Sequence, residues 1–174
     1  MIFFTGCTHF NHPNIIKYCE RPYPDIGSME RDMIWKWNKK VSYNDTVYHL
    51  GDFGFGSPQL LKIFLEHLNG RKIIIKGNHD HMSLKRMREI GWDDASKKRR
   101  RVWTDSLGQL DLTHRPIKDM RVLEECDWNI HAHTHQTYVM SWEKRIHVGV
   151  DSWNFEPVSE WELLEYLLGK GLAV

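Results

Sequence analysis

Residues Lys72–Asp80 read Lys-Ile-Ile-Ile-Lys-Gly-Asn-His-Asp, and this stretch decides what the rest of the chain can form. Three consecutive isoleucines predict a strand that is buried on both faces, as in a parallel sheet. Gly77 ends the strand, and Asn78, His79 and Asp80 follow at once. In open α/β sheets, ligands bind beyond the carboxyl ends of the strands. The stretch therefore predicts a central strand with chemically active side chains at its end.

Four further strands are predicted, and each is followed closely by side chains that could bind a ligand. These strands are Ile2–Phe4, Thr46–Leu50, Gln109–Thr113 and Trp128–His131. The side chains that follow them are Cys7 and His9, Asp52, His114, and His133 with His135. A single histidine or aspartate in a loop is more often a cap, a turn former or a solvated side chain than a ligand. Five such coincidences in one chain indicate a common site at one sheet edge.

Size, charge and cysteine content narrow the class of protein. The chain has 174 residues, 41% of them hydrophobic and 27% charged, so we expect a single globular domain over residues 1–174. The net charge of +1 provides no overall field to attract nucleic acid or an anionic membrane. Three cysteines, Cys7, Cys19 and Cys126, indicate a reducing compartment rather than a disulfide framework. Since no apolar run could span a bilayer and no secretory signal is visible, we expect a cytoplasmic protein.

Helices and hairpins are predicted between the strands. The predicted helices are about Met29–Lys40 with Ser28 as N-cap, Ser57 to Asn69-Gly70, and a last helix from the Ser159/Glu162 capping box through Leu168. The predicted hairpins pair Val102–Asp105 with Gln109–Thr113 and Tyr138–Trp142 with Arg145–Val150. Strands that first alternate with helices and then form hairpins favour an α/β protein with helices on the faces of its sheets.

The order of these groups resembles the calcineurin-like metallophosphoesterase family. That family has Asp-x-His, Gly-Asp, Gly-Asn-His-Asp/Glu, His and Gly-His-x-His. The matching segments here are Cys7-x-His9, Gly51-Asp52, Gly77-Asn78-His79-Asp80, His114 and His133-x-His135. The likeness runs from Ile2 to about Val158, and Gly-Asn-His-Asp with a downstream His-x-His is its specific part. The resemblance implies a four-layer α/β/β/α sandwich with two metal ions at one sheet edge.

The resemblance also implies a ligand set and a reaction. One metal would be held by Cys7, His9, Asp52 and His135, and the other by Asp52, Asn78, His114 and His133. A bridging hydroxide would attack a phosphomonoester or phosphodiester, such as a nucleotide or cyclic nucleotide. His79 would be the general acid, and Asp80 would orient or charge-stabilise its imidazole. A carboxylate can bridge two cations, and paired metals stabilise both oxygens of a phosphoryl displacement. The expected cofactors are two divalent ions, first Mn, Zn or Fe and then Mg or Ni.

Cys7 departs from the family pattern, which has aspartate at this position. As a ligand, a thiolate would favour zinc or iron over magnesium. Alternatively, Cys7 is a small buried hydrophobic residue at a strand end, which would weaken the first metal site. A third interpretation is a substitution introduced to trap a complex.

Substrate contacts and alternative functions stay open at this stage. Residues after two of the motifs are candidate substrate contacts: Phe10, Asn11, His12 and Arg115. The basic run Lys97–Arg101 is usually a solvated face, but it could attract an anionic substrate. We expect the protein to act on a small phosphoester and not to bind a membrane. The alternative enzyme function is a nuclease of the same family. A catalytically impaired binding module, like a retromer subunit of this fold, would have lost ligand histidines. The oligomeric state is left undecided.

Overall fold

Two five-stranded sheets form the frame of the protein in this computed structural model, which describes residues 1–138 and 141–171. In chain order the strands are β1 (Ile2–Thr5), β2 (Thr46–His49), β3 (Arg71–Ile75), β4 (Asp94–Ser96), β5 (Arg99–Thr104), β6 (Gly108–Thr113), β7 (Trp128–His131), β8 (Ser141–Trp142), β9 (Arg145–His147) and β10 (Val158–Ser159). The helices are α1 (Asn14–Tyr18), α2 (Ile26–Lys40), α3 (Pro58–Glu66), α4 (Leu84–Glu89), α5 (Met120–Leu123) and α6 (Glu160–Gly169). The strand orders are β10-β1-β2-β3-β4 in the first sheet and β5-β6-β7-β9-β8 in the second.

The strands that precede the predicted site are parallel neighbours within each sheet. In the first sheet β1 pairs with β2 and β2 with β3, so that Val47 lies between Phe3 and Lys72. In the second sheet β6 pairs with β7, and Leu112 lies opposite Ile130. Because the carboxyl ends of parallel neighbours lie at the same edge, the loops that follow these strands gather there.

The isoleucines of β3 face two different cores, which explains why three apolar residues follow one another in this strand. Ile74 belongs to a cluster with Met33 of α2 and Leu65 of α3. Ile75 belongs to a second cluster, with Leu110 of the second sheet. The first cluster therefore joins the first sheet to its helices, and the second cluster joins the two sheets.

The chain around α5 covers the outer face of the second sheet. Ile146 of β9 packs between the sheets, so its neighbour Arg145 faces outward. The Arg145 Nε donates to the carbonyl oxygen of Ile117 at 2.6 Å, and an Nη lies 3.4 Å from the Met120 sulfur. The predicted four-layer α/β/β/α sandwich is therefore confirmed.

Among the helices of the described residues, none combines the length and apolar character needed to cross a bilayer.

Several element boundaries differ from the predicted ones. The predicted N-cap Ser28 is wrong, since α2 begins one turn earlier and Asp25 is its cap, accepting the Ser28 backbone N–H at 2.7 Å. Asp and Ser are about equally good N-caps, so the sequence alone did not separate them. The first hairpin begins at Arg99 rather than Val102, because β5 pairs with β6 along its whole length. The second predicted hairpin is present as β8 and β9, but residues 139–140 lie outside the described residues. The capping box of the last helix is confirmed.

Candidate metal centre

The loops after five strands bring the predicted ligand side chains to one place, and His114 lies at the centre of one half. Its Nε2 lies 3.0 Å from Asn78 Oδ1, 3.3 Å from Asp52 Oδ2 and 3.0 Å from His133 Nδ1. These four residues come from four loops of two sheets, which meet at the same edge. This half of the cluster corresponds to the second of the two expected metal sites.

His9 and His135 form the other half, and Asp52 lies between the halves. The Nε2 atoms of His9 and His135 are 3.2 Å apart, and His9 Nε2 is 3.9 Å from Asp52 Oδ2. The Cys7 sulfur, with His9 and His135, belongs to a group whose ligand atoms all lie within 4.8 Å of one another. Cys7, Asp52 and His114 form a second such group. The seven residues predicted as metal ligands therefore lie together, and their role as ligands stays a prediction.

Most of these residues have a backbone conformation that side chains with a Cβ rarely adopt. Five of the seven have a positive φ, between +48° and +72°. They are Cys7, His9, Asp52, His133 and His135. Each such residue costs on the order of 1 kcal/mol or more, and this strain persists only where the surroundings enforce it. The chain turns sharply after each strand, and this conformation directs consecutive polar side chains into the cluster.

Two glycines let the Gly-Asp and Gly-Asn-His-Asp loops approach each other. A Cβ at Gly77 would lie 2.1 Å from Asp52 Oδ1 and 2.6 Å from the Asp52 nitrogen. A Cβ at Gly51, where φ is +86°, would lie 2.2 Å from the Gly77 nitrogen. Real side chains cannot come so close, so only glycine allows these backbones to pack directly. This contact explains why both motifs begin with glycine.

Hydrogen bonds on the far side of two imidazoles orient them toward the cluster. His114 Nδ1 lies 2.6 Å from the carbonyl oxygen of Leu50, which can only accept, so this nitrogen carries the proton. His135 Nδ1 lies 2.9 Å from Asp151 Oδ2. Histidines that bind metals are usually held in this way, by a carbonyl or a carboxylate on the other ring nitrogen. Although burial opposes it, the bond to Asp151 and two neighbouring thiols raise the pKa of His135 to about 12.

Two other histidines of the cluster are neutral and lie around one carboxylate. Burial alone would raise the pKa of the Asp52 carboxyl, but the adjacent His114 imidazole and the His79 backbone N–H hold it well below its usual value. Burial lowers the pKa of His9 to about 2 and that of His133 to about 4. The imidazoles of His9 and His133 are therefore uncharged near pH 7 and keep a lone pair that can bind a cation.

The arrangement of acceptor atoms fits a bound metal ion. Because His114 donates through Nδ1, its Nε2 has a lone pair, and this lone pair faces the Asp52 carboxylate oxygen and Asn78 Oδ1. Three acceptors that face one another repel unless a proton or a cation lies between them. His9 Nδ1 is buried and, among the described residues, has no hydrogen-bond partner. Imidazole, carboxylate, amide oxygen and thiol together make a donor set suited to zinc, iron or manganese.

Arg21 and Asp151 support this site, and the sequence analysis missed both. The Arg21 guanidinium binds Asp151 through two nitrogens, at 2.8 and 3.1 Å, and both side chains are at least 98% buried. It also donates to the carbonyl oxygens of Cys7, at 2.7 Å, and Thr8, at 3.0 Å. One buried pair therefore holds the His135 imidazole and the strained loop after β1. The only local signal was an aspartate in an otherwise apolar stretch, Val148–Val150 followed by Asp151.

Asp80, predicted to orient or charge-stabilise the His79 imidazole, binds backbone N–H groups in the structure. Both Asp80 oxygens accept backbone N–H groups, from Asp52 at 2.7 Å, Gly77 at 2.8 Å and Phe53 at 3.2 Å. A buried carboxylate needs such donors, and the backbone amides of two tight loops supply them. Asp80 therefore joins the two motif loops to each other.

The other predicted site residues lie around the rim, with one exception. His79 is exposed, and its ring centre lies 5.4 Å from that of Phe55. The His12 ring stacks on Phe55 at 4.4 Å, and Arg115 reaches Asn78 Oδ1 at 3.4 Å. The exposed Asn11 donates through Nδ2 to the Phe55 carbonyl oxygen at 3.0 Å. The exception is Phe10, a candidate substrate contact that is fully buried in the core beneath the helices.

The position of Cys7 agrees both with a metal ligand and with a small buried hydrophobic residue. Its side chain is fully buried, and its sulfur accepts the His133 backbone N–H at 3.2 Å. Burial raises the pKa of the Cys7 thiol, so a nearby cation would be needed to hold the thiolate. Cys19 also offers its sulfur within 4.8 Å of ligand atoms of His135 and Asp151.

We expect the Cys7→Asp variant to change metal preference. Replacing a soft thiolate by a hard carboxylate should lower the ratio of bound zinc to bound manganese by roughly tenfold or more. The measurement is metal content by mass spectrometry after dialysis against equal concentrations of both ions. Cys126→Ser, at a buried cysteine outside the cluster, is the control. Unchanged metal ratios and turnover in Cys7→Asp would show that Cys7 takes no part in the site.

Comparison with known proteins agrees with this architecture. The chain is 34% identical to uncharacterized protein MJ1445 of Methanocaldococcus jannaschii, over 99% of this chain and 94% of that protein. The crystal structure of the protein of unknown function AQ665 from Aquifex aeolicus matches with a TM-score of 0.74 and 26% identity, covering 95% of this chain and 98% of that one. A novel archaeal phosphodiesterase matches with a TM-score of 0.51 and 22% identity, covering 87% and 83%. No family model matches the chain.

By its fold, the chain falls in a class of mixed α/β sandwiches that includes an archaeal phosphodiesterase. Within that class, the chain belongs to the same family as MJ1445.

Proposed function

We propose that this protein is a metal-dependent phosphoesterase with two divalent cations in its site. The observation that carries the proposal is the convergence of Asp52 and Asn78 on His114, whose Nε2 lies 3.3 Å from Asp52 Oδ2 and 3.0 Å from Asn78 Oδ1. His9, His135 and Cys7 adjoin them through the same carboxylate. Acceptor atoms that face one another without a shared proton favour a positive charge between them. Two cations would supply that charge.

The ligand sets follow from the two halves of the cluster. Cys7, His9 and His135 would hold one cation, Asn78, His114 and His133 the other, and Asp52 would contact both. When bound, the cations would withdraw charge from the phosphoryl oxygens and lower the pKa of a nearby water molecule. The protein keeps the ligands in place through Leu50 and Asp151, which orient two of the imidazoles. This pre-formed arrangement reduces the reorganisation needed during the reaction.

His79 is the residue that we assign to protonation of the leaving group. Its backbone N–H donates to Asp52 Oδ1 at 2.9 Å, so the residue is tied to the shared carboxylate. Its ring is exposed and lies between His9 and Phe55, at ring-centre distances of 5.8 and 5.4 Å. An imidazole at the rim can exchange protons with water and give one to a departing alkoxide.

Three further facts support an enzyme over a binding module. The fold is shared with an archaeal phosphodiesterase, at a TM-score of 0.51. A member that had lost catalysis would be expected to lose ligand histidines, whereas His9, His114, His133 and His135 all point into one cluster. Strained backbone at five of the ligand positions is also costly to keep without a function.

The proposed function predicts metal-dependent turnover of phosphoesters. Protein stripped with a chelator should be inactive and should regain hydrolysis of nitrophenyl phosphate and bis(nitrophenyl) phosphate when Mn²⁺, Zn²⁺ or Fe²⁺ is added. In the His79→Gln variant, loss of activity should be small for these esters and about 10²-fold or more for an alkyl ester, because only the poor leaving group needs a proton.

His67→Gln, an exposed histidine just after α3, serves as the control for the substitution itself. The absence of turnover with every ester after full metal loading would show the proposed function to be wrong. If the His79→Gln variant lost equal activity on esters with good and with poor leaving groups, His79 would not be the general acid.

A further inference from the structure

A basic cleft opens directly from the candidate metal centre. It has a volume of about 340 Å³, and Asn78 and His114 form part of its wall. The other lining residues are Lys76, Gly77, Lys97, Lys98, Thr113 and Arg115. Its volume is near the lower end of the range for small-molecule sites, roughly 300–1,000 Å³. The cleft and the metal cluster therefore share two side chains and form one continuous surface.

The basic run Lys97–Arg101 divides into two parts with different surroundings. Its arginines face carboxylates: Arg100 pairs with Asp94, while Arg99 and Arg101 both pair with Asp111 and Glu125. Its lysines, Lys97 and Lys98, are exposed at the cleft, and no ion pair to a described carboxylate involves either. The arginines are thus neutralised within the fold, while the two lysines keep their charge for another partner.

The cleft wall holds four cationic side chains and no carboxylate among the residues that line it. Lys76 is anchored, because its Nζ donates to the Met82 carbonyl oxygen at 2.6 Å. Arg115 reaches Asn78 Oδ1 at 3.4 Å, so its guanidinium lies where the cleft meets the cluster. The whole chain has a net charge of only +1, so this positive charge is local. A concave surface lined by charge of one sign concentrates its field on a ligand of the opposite sign.

We propose that this cleft binds a second phosphate of the substrate, attached beyond the phosphate that is hydrolysed. The inference rests on the proposed function, because it assumes that the scissile phosphate occupies the neighbouring metal centre. Lys97 and Lys98 act as flexible point charges on the second phosphate, and Arg115 can contact oxygens of either phosphate through its planar fork. Substrates with one phosphate leave the lysines unused. The class of substrate is therefore a doubly phosphorylated compound, such as a phosphorylated dinucleotide or a pyrophosphate.

The test compares substrates that differ by one phosphate. The dithymidine dinucleotide TpT has only the scissile phosphate, whereas pTpT and TpTp carry a second phosphate at the 5′ or 3′ end. The metal-loaded protein should hydrolyse at least one of the latter with a kcat/KM roughly tenfold or more above that for TpT. In the Lys97→Gln/Lys98→Gln variant this preference should fall to about twofold or less, since the charge-assisted contacts are lost.

A matched control removes the same charge elsewhere. Lys39→Gln/Lys62→Gln changes two exposed lysines on α2 and α3, in the helix layer away from the cleft, and should keep the wild-type preference. If wild type shows no preference, or if both double variants lose it equally, the cleft is not a phosphate subsite, although the protein is still a phosphoesterase.

A binding measurement separates failure of the cleft from failure of the proposed function. Isothermal titration of the metal-loaded protein should show tighter binding of thymidine 3′,5′-bisphosphate than of thymidine 5′-monophosphate, by roughly tenfold, in wild type but not in Lys97→Gln/Lys98→Gln. This result supports the subsite even if no ester is hydrolysed, and equal affinities overturn it. Inorganic pyrophosphate is titrated in the same way. Its affinity distinguishes a pyrophosphate substrate from one whose two phosphates are separated by a nucleoside.

Discussion

The rate of metal-dependent hydrolysis is expected to fall by roughly 10³-fold in the Asp52→Asn variant. The metals contribute several kcal/mol to stabilisation of the transition state, and about 1.4 kcal/mol corresponds to a factor of ten in rate. Asp52 lies within 4 Å of ligand nitrogens in both halves of the cluster, His9 on one side and His114 on the other. An amide removes the only negative charge shared by the two halves. Activity with nitrophenyl phosphate and metal content after gel filtration measure the effect.

Asp105→Asn, in the exposed turn between β5 and β6, is the control for an aspartate outside the site. The melting temperature of the metal-free Asp52→Asn variant should stay close to that of the wild type, because an amide oxygen can still accept the His79 backbone N–H. A variant that keeps both metals and full activity would mean that Asp52 is not the shared ligand.

The Arg21→Met variant is expected to lose roughly 3–5 kcal/mol of unfolding free energy, since it leaves the Asp151 carboxylate buried without its partner. Arg21 has a side chain with 0% exposure and makes two bonds to Asp151. It also donates to the Cys7 and Thr8 carbonyl oxygens, so the loop after β1 would lose its anchor. Urea unfolding followed by circular dichroism measures the loss. Arg100→Met, which breaks a partly exposed pair with Asp94, should cost about 1 kcal/mol or less.

The double variant Arg21→Met/Asp151→Leu separates stability from site geometry. Removing both charges should restore much of the stability, because a buried ion pair can be replaced by apolar side chains at little cost. Metal affinity should stay about 10–100-fold below wild type, since His135 Nδ1 has lost the carboxylate that orients it. Full recovery of both properties would contradict the role given to Asp151.

Much of the site followed from local sequence because the same segments form the strands and carry the ligands. An apolar run that stops at glycine predicts both β3 and the place where Asn78 and His79 emerge. The same reasoning placed Cys7, His9, Asp52, His114, His133 and His135 at strand ends, and the structure brings their side chains together. Element boundaries were less well predicted, as at α2, where Asp25 competes with Ser28 for the cap.

Long-range pairings were not predicted because no local pattern encodes them. Arg21 and Asp151 are 130 residues apart, and nothing near either residue indicates the other. Asp80 is adjacent to His79 in sequence, yet its oxygens bind the backbone of two loops. The basic run gave no sign of its division, which depends on the register that places Arg101 opposite Asp111.

The sequence by itself determined most of the strands, an α/β arrangement and the polar residues at the strand ends, since apolar periodicity and turn residues act over a few positions. The four-layer sandwich and the metal ligands were implied by the resemblance to a known family. Only the tertiary structure decided which atoms face each other, such as the acceptors around His114 and the buried Arg21–Asp151 pair. It also decided that the two cleft lysines have no ion pair with a described carboxylate. Those contacts depend on how the two sheets pack and on small differences in the distance between loops. The local sequence of residues does not specify either.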